Sequence, residues 1–168
     1  IMDTSTANFW HADLSQIYKA LKALEAHGLI TSAVQAQDDR PDRRLYTITE
    51  DGRADLRDWL EEPLAGTTPL KETLLLKVFF SAQADRDHLL TQLVIQRELH
   101  RQALARYQGQ TLTDIEQNAA FMGATPEDAL FWDLTRRAGV LYEEMYLQWL
   151  DEAISRLKKR RGKGKTHS

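Results

Sequence analysis

The sequence predicts a mainly α-helical protein with one small β-hairpin. Apolar residues recur at helical spacing near the start of the chain and again through its second half. Between these regions, two short segments rich in β-branched residues flank a charged turn, which is the pattern of a hairpin. A short segment with glycine and proline, residues 65–69, separates the two halves and predicts two domains.

The first complete helix is predicted from Leu14 to His27. Three of its apolar residues recur at spacings of four and three and therefore share one face: Ile17, Leu21 and Leu24. Either Asp13 or Ser15 can cap its start, and Gly28 suits the left-handed turn that ends many helices. Residues 1–10 have the pattern of the end of a preceding helix.

Two strands are predicted after this helix, at residues 29–34 and 45–49. The segment between them, residues 37–44, is rich in charge and in turn-forming residues. Because this segment is longer than a two-residue turn, we expect the tip of the hairpin to project and to move.

A helix from Glu50 to about Glu62 is predicted next, with Thr49 as its N-cap and Pro63 at its end. Three apolar residues are expected to face inward: Leu56, Trp59 and Leu60. The linker at residues 65–69 then divides the chain into three parts, which are a first domain over residues 1–64, a helical domain over residues 70–160 and a disordered basic tail over residues 161–168.

The second half of the chain is predicted to be helical throughout. Three helices precede the last one: residues 70–82, a longer helix that Asp85 caps and that ends at Tyr107 or Gln108, and residues 110–121. The last helix begins at Pro126, and Thr125 is its N-cap.

This last helix carries two adjacent apolar stripes. One consists of Leu134, Ala138, Leu141, Met145 and Trp149, and the other of Tyr142, Tyr146, Leu150, Ala153 and Leu157. Such a broad apolar face exceeds what a single packing partner needs, which favours an interface with a second molecule.

Composition excludes several classes of protein. The chain has no cysteine, which rules out disulfides and thiolate sites and is typical of the cytoplasm. No apolar run approaches the roughly 18 residues of a membrane span, and no secretion signal precedes the first helix. The formal net charge is −3, and the first 62 residues are acidic, with seven Lys and Arg against twelve Asp and Glu. DNA contact would therefore depend on a local cluster of positive charge.

The order helix, turn, helix, hairpin and helix predicts a winged helix-turn-helix domain. In such a domain the exposed second helix enters the major groove of double-stranded DNA, and the hairpin contacts an adjacent groove or phosphate. The candidate DNA-binding residues are Ser15, Gln16, Tyr18, Lys19 and Lys22 on the helix and Arg40, Arg43 and Arg44 at the wing. An amide such as that of Gln16 can recognise adenine, whereas lysines more often meet phosphates.

Three segments resemble the PadR family of transcriptional regulators. Residues His11–Ile30 contain a serine shortly before a tyrosine, then Leu-x-x-Leu-Glu and Gly-Leu-Ile, as in the recognition helix of that family. Residues Arg44–Gly52 resemble its second wing strand and the start of its next helix. The region from Leu70 onward is similar to the C-terminal dimerisation domain of the long PadR subgroup. The resemblance thus covers nearly the whole chain.

This resemblance implies a homodimeric transcription factor, usually a repressor, that binds a palindromic operator. It also implies release of the DNA by a small, often aromatic effector, whose identity the sequence does not indicate. Paired half-sites require paired DNA-binding domains, so dimerisation through the C-terminal helices would be part of the mechanism. Family members begin with a full helix and most of a second before the equivalent of Ile1. We therefore expect natural residues before this position, without which Ile17 and Leu21 would be poorly covered.

Several candidates have a structural alternative. Tyr18 either touches DNA or packs against the wing, and the two lysines either bind phosphates or form a solvated face. A set of aromatic residues either lines an effector pocket or fills the core and the dimer interface: Phe9, Trp10, Trp132, Tyr142 and Trp149. The basic tail either adds non-specific DNA affinity or keeps the chain soluble.

An enzyme is not predicted, and neither a cofactor nor a metal ion is expected. The five histidines lack metal-ligand spacing, and neither a phosphate-binding loop nor a nucleophile-elbow serine is present. Glu143 and Glu144 are expected to lie in solvent. The alternative function is a helical dimerisation or adaptor protein whose winged helix binds protein, which the acidic charge of residues 1–62 favours.

Overall fold

The computed structural model describes residues 13–36, 42–67 and 69–163. Within them the chain divides into two compact units, and the division falls between Leu70 and Lys71. The elements in order are α1 (Leu14–Ala26), β1 (Ile30–Gln35), β2 (Arg43–Ile48), α2 (Glu50–Glu61), α3 (Thr73–Phe80), α4 (Arg86–Gln108), α5 (Gln110–Met122) and α6 (Pro126–Lys163). A helical protein with one antiparallel hairpin was predicted, and this fold class is confirmed. The predictions for residues 1–12, for Arg40 and for the last five residues lie outside the described residues.

Helix α1 is closed at both ends by local hydrogen bonds. Of the two predicted N-caps, Asp13 and Ser15, the structure has Asp13. The Asp13 carboxylate accepts from the backbone N–H of Gln16 at 2.9 Å. At the other end Gly28 has a φ of +72°, which costs little only for glycine. This conformation lets the N–H of Leu29 donate to the carbonyl of Leu24 at 3.0 Å, so the chain turns directly from the helix into β1.

The two strands of the hairpin pair from Ile30 opposite Ile48 to Gln35 opposite Arg43. Alternate residues point to opposite faces of a strand, so each face carries one half of these pairs. One face holds the half-buried side chains of Ile30, Ser32, Tyr46 and Ile48, and the other face is exposed. The half-buried face is tied to α1, because the hydroxyl of Ser32 donates to the Glu25 carboxylate at 2.5 Å.

Helix α2 is joined to the end of α1 through the carbonyl of Leu29. This oxygen accepts from the backbone N–H of Thr49 at 3.0 Å. The single hydroxyl proton of Thr49 is shared between this oxygen, at 3.0 Å, and the carbonyl oxygen of Gly28, at 2.8 Å. The Thr49 hydroxyl also accepts from the N–H of Gly52 at 3.0 Å, which confirms Thr49 as the N-cap. Gly52 is buried, and a Cβ there would lie 2.0 Å from the Leu29 carbonyl oxygen. Only glycine fits this approach.

The apolar residues of α2 are exposed, and the prediction that they face inward is wrong. Leu56 is 46% exposed, Trp59 is 67% exposed and Leu60 is 66% exposed. Their spacing indicated an apolar face correctly, but the described residues of this unit do not cover that face. Within α1 too, Ile17 and Leu21 are only half-buried.

The second unit is organised by the packing of α6 against α4 and α3. One cluster of buried side chains joins the three helices: Leu74, Leu89, Leu90, Leu93, Tyr146, Leu150 and Ile154. The predicted stripe from Tyr142 to Leu157 supplies much of this cluster, together with Trp149 from the other predicted stripe. Leu93 and Leu150 are fully buried, so the centre of the unit lies where α4 crosses α6.

The ends of these helices follow the predicted caps. Asp85 caps α4 through the N–H groups of Asp87 and His88, and Thr125 and Asp128 cap α6 by hydrogen bonds in both directions. Helix α6 spans 38 residues and continues to Lys163. The prediction that a disordered tail begins at residue 161 is therefore corrected by three residues.

A buried polar pair also ties α4 to α6. The Nδ1 atom of His100 lies 2.5 Å from a carboxylate oxygen of Glu143, and Glu143 is only 7% exposed. The His100 ring stacks on Tyr146, with ring centroids 4.0 Å apart. The expectation that Glu143 lies in solvent is thus wrong, because a partner 43 residues away stabilises it in the interior.

Replacing Gly52 by alanine should destabilise the first unit. The added Cβ would collide with the Leu29 carbonyl oxygen, and we expect a loss of about 2–3 kcal/mol in the free energy of unfolding. Thermal denaturation followed by circular dichroism measures it. Gly66→Ala is the matched control, because a Cβ there meets nothing within 4 Å. Equal melting temperatures for the two variants would contradict the close approach at Gly52.

Stability should fall steeply at alkaline pH because of Tyr146. Its burial, with Glu72, Tyr142 and Glu143 nearby, raises the pKa of Tyr146 from 10.0 to about 12. The unfolded chain therefore releases this proton first, and the stabilisation present below pH 10 is lost as the pH rises towards 12. Between pH 10 and pH 12, the free energy of unfolding measured with urea should fall less for Tyr146→Phe than for the wild type, by up to about 2 kcal/mol. Parallel pH profiles would contradict the assignment.

Candidate nucleic-acid interface

The exposed face of α1 brings four candidate residues together. Tyr18, Lys19 and Lys22 follow Ser15 by three, four and seven positions, so all four lie along one side of the helix. All four are exposed, and Tyr18 is 63% exposed. We call these four residues the reading face. Tyr18 is therefore available to an external partner, which favours the first of its two interpretations.

Ser15 and Gln16 also stabilise the start of the helix. The side-chain oxygen of Gln16 accepts from the backbone N–H of Asp13 at 3.3 Å, while the Ser15 hydroxyl donates to the Asp13 carboxylate at 2.5 Å. This capping box occupies the amide oxygen of Gln16 and leaves its NH₂ group pointing to solvent as a donor. Gln16 thus fixes the end of the helix that would approach the bases.

The acidic side chains of α1 are bound within the protein. Asp13 is engaged in the cap, and Glu25 is half-buried and accepts from Ser32 on β1. Neither carboxylate belongs to the reading face, where the charged groups are Lys19 and Lys22. The negative charge of this unit is concentrated elsewhere: the segment 50–62, which is mostly α2, holds six of the twelve acidic residues among the first 62.

The two described arginines of the wing lie on β2 and not in its turn, which corrects their predicted position. Arg43 pairs opposite Gln35 and Arg44 opposite Val34, so they point to opposite faces of the hairpin. Arg44 shares the face that Ser32 ties to α1, and its guanidinium lies 6.0 Å from the centroid of the Tyr46 ring. This cation–π contact orients Arg44, a feature that the residue spacing did not reveal.

Two family models match the chain and together cover most of it. A model described as the transcriptional regulator PadR-like family matches residues 1–58. A second model, described as virulence activator alpha C-term, matches residues 70–158. The second match begins at Leu70, next to the division between the two units of the structure, which falls between Leu70 and Lys71.

Known regulators are similar over nearly the same length. A probable transcriptional regulator of Mycobacterium tuberculosis is 31% identical over 168 residues, which cover 95% of this chain and 87% of the relative. The chain belongs to the PadR-like family of transcriptional regulators. The negative transcriptional regulator PadR of Bacillus subtilis is 27% identical over 153 residues, covering 90% of this chain and 82% of PadR. The crystal structure of that PadR in complex with operator DNA superimposes with a TM-score of 0.74, at 25% identity, covering 93% of this chain and 86% of the other.

Membership of the PadR-like family confirms the predicted resemblance to that family. Among the aromatic residues that could line an effector pocket, Phe9 and Trp10 lie outside the described residues. Trp149 packs edge-on against Tyr146 at 5.3 Å, and Tyr142 lies 5.7 Å from the same ring. Trp149 is therefore part of the core packing, whereas Tyr142 is 40% exposed. The small aromatic effector of this PadR-like chain stays a prediction.

No helix among the described residues is both long enough and apolar enough to cross a membrane. Among the same residues, histidines and carboxylates do not gather into a group that would hold a metal ion.

Asp13 should be the most sensitive residue at the start of α1. Asp13→Ala removes the acceptor for the Gln16 N–H and should lower the free energy of unfolding by about 1 kcal/mol. Asp13→Asn is the matched control, since its side-chain oxygen retains the cap. Chemical denaturation compares the three proteins, and an alanine variant as stable as the asparagine variant would show that the cap has no energetic role.

Proposed function

We propose that this protein binds double-stranded DNA through α1 and the wing and thereby regulates transcription, as a repressor. The observation that carries the proposal is the likeness to a PadR that was solved on operator DNA, together with a reading face that exposes Lys19 and Lys22 and beside which the Asp13 carboxylate is engaged in the helix cap. The B. subtilis relative is a negative regulator by name, which supports repression. The adaptor alternative loses its main support, because the acidic charge is concentrated in residues 50–62 and not on α1.

In this proposal the residues of α1 and β2 divide between base edges and the phosphate backbone. Ser15 and the free amide group of Gln16 lie in the first turn of α1, from which side chains reach base edges in the major groove. Lys19 and Lys22 lie further along the same helix, and we assign them to phosphates. Arg44 faces the same side of the hairpin as α1 and would contact the backbone beside the groove. Arg43 faces the other way and contributes less.

The protein would act as a homodimer on a palindromic operator. A single α1 covers one half-site, and two half-sites one helical turn apart, roughly 34 Å, need two copies. Five apolar residues on one side of α6 are exposed in a single chain, which supports an interface with a second copy: Phe131, Leu134, Ala138, Leu141 and Met145. As a regulator without catalytic chemistry, the protein would work in the cytoplasm, where bacterial relatives meet their DNA.

The two lysines of the reading face should set both DNA affinity and its salt dependence. Binding to the promoter region of its own gene, followed by fluorescence anisotropy, should weaken as salt rises. Lys19→Ala and Lys22→Ala should each lower affinity by about tenfold and reduce the slope of log K against log salt by about one. Lys77→Ala on α3 removes an exposed lysine of the other unit and is the matched control.

Two results would count against the proposal. If the wild type shows no salt-sensitive affinity for that promoter region, DNA binding of this kind is wrong. If Lys77→Ala weakens binding as much as the reading-face variants, the contact surface has been placed on the wrong part of the molecule.

A further inference from the structure

The hairpin is held to the rest of the first unit at two places. At its base, the pair Ile30–Ile48 lies directly beside the Leu29 carbonyl. Two residues further along β1, roughly 7 Å at the rise of a strand, the hydroxyl of Ser32 donates to the Glu25 carboxylate of α1 at 2.5 Å. Among the described residues, this is the one side-chain hydrogen bond between α1 and the two strands. We call it the tether.

The tether matters because a two-stranded hairpin does not hold its own orientation. Such hairpins are marginally stable by themselves, and among the described residues this one pairs with no third strand and has an exposed outer face. Held only at its base, it would pivot there, and the tip would move furthest. A hydroxyl that donates to a carboxylate at 2.5 Å makes a charge-assisted hydrogen bond, about twice as strong as a neutral one. The tether therefore fixes a second point on β1.

From Ser32 the contacts continue across the hairpin to the wing arginine. Tyr46 lies directly opposite Ser32 in the strand register, so the two side chains are neighbours on one face of the hairpin. The guanidinium of Arg44 lies 6.0 Å from the centroid of the Tyr46 ring on that face. A movement of the hairpin relative to α1 would therefore carry Arg44 away from its position beside the reading face.

Glu25 lies at the end of the reading face. It follows Lys22 by three positions and Tyr18 by seven, spacings that place all three on neighbouring parts of the helix surface. Opposite charges three positions apart on a helix attract each other. In the described part of the chain, however, no ion pair joins Lys22 to Glu25. The half-buried carboxylate is bound to Ser32 instead, which leaves the Lys22 ammonium to a phosphate.

We infer that Glu25 is a positioning residue for DNA binding: through Ser32 it holds the wing where Arg44 and the lysines of α1 contact one duplex together. This inference rests on the proposed DNA binding and adds the internal contact that the binding requires. A wing that is already fixed does not have to be ordered when DNA arrives, so less binding free energy is lost. A wing released from Glu25 would make its phosphate contact rarely.

A double-mutant cycle between the tether and Arg44 tests this inference in the full chain. With the promoter region of its own gene as the probe, Arg44→Ala should lower wild-type affinity by about tenfold and reduce the slope of log K against log salt by about one. Ser32→Ala alone should reduce that slope by about one, because the wing contact is already lost. In this background Arg44→Ala should lower affinity by at most about twofold. Glu25→Ala should suppress the Arg44 effect in the same way.

Conservative variants separate the hydrogen bond from other effects of these substitutions. Ser32→Thr retains a hydroxyl and Glu25→Gln retains an acceptor oxygen, so both should keep the full effect of Arg44→Ala. Thr31→Ala is the matched control, because it removes a hydroxyl from the opposite face of the same strand. Circular dichroism establishes that each variant is folded at the temperature of the binding measurement.

Spin labels measure the position of the wing without DNA. The chain has no cysteine, so Ala20→Cys on α1 and Gln35→Cys on β1 place one pair of labels on exposed residues. The distribution of label distances should be narrow when Ser32 is present and broader when Ser32→Ala is added. An unchanged distribution would overturn the tether.

The outcomes distinguish this inference from the proposed function. Salt-sensitive DNA binding in which Arg44→Ala has the same effect with and without Ser32 would overturn the positioning role of Glu25 and leave the DNA-binding function standing. A wild type that does not bind the promoter region would overturn the proposed function, and the role of Glu25 in it. Suppression of the Arg44 effect together with a broader label distribution would support both.

Discussion

The DNA-binding unit depends on a single backbone oxygen, the carbonyl of Leu29. It accepts a hydrogen bond from the N–H of Thr49, shares the Thr49 hydroxyl with the carbonyl of Gly28, and lies so close to Gly52 that a Cβ there cannot fit. The end of α1, the hairpin pair Ile30–Ile48 and the first turn of α2 all meet beside this oxygen. The Gly28 turn before this oxygen and the Thr49 cap after it determine how the chain leaves α1 and how it enters α2.

The sequence predicted those features that are determined within a few residues of themselves. The caps at Thr49, Asp85 and Thr125, the turn at Gly28 and the exposed lysines of α1 are all local, and all agree with the structure. Features that depend on distant residues were predicted poorly. Glu143 is buried because His100 lies opposite on α4, and no spacing within α6 signals that partner. Burial of the apolar α2 side chains likewise depends on other residues that would cover them. Their helical spacing alone therefore led to the wrong prediction that they face inward.

The candidate site falls between these two cases. Its residue types and their side of α1 were predictable, since helical periodicity fixes which residues share a face. The double role of Gln16 was not, because the same amide suits a capping box and an adenine. The strand position of Arg43 and Arg44 was missed for a different reason. The end of β2 is determined by pairing with Gln35 and Val34 on β1, and the composition of one strand does not predict which residues of another strand it pairs with.

The uneven distribution of charge makes the first unit an electric dipole. Two lysines and two arginines lie on α1 and β2, while residues 50–62 hold six carboxylates against the two arginines Arg53 and Arg57. Close to a phosphate backbone, such a dipole experiences a torque that turns the basic end towards DNA and the acidic end away. Random collisions in other orientations are repelled, so the unit would spend little time on non-specific sequence. An acidic domain can therefore bind DNA selectively. Its negative net charge limits non-specific binding, while the uneven distribution of charge still favours approach with the basic side towards DNA.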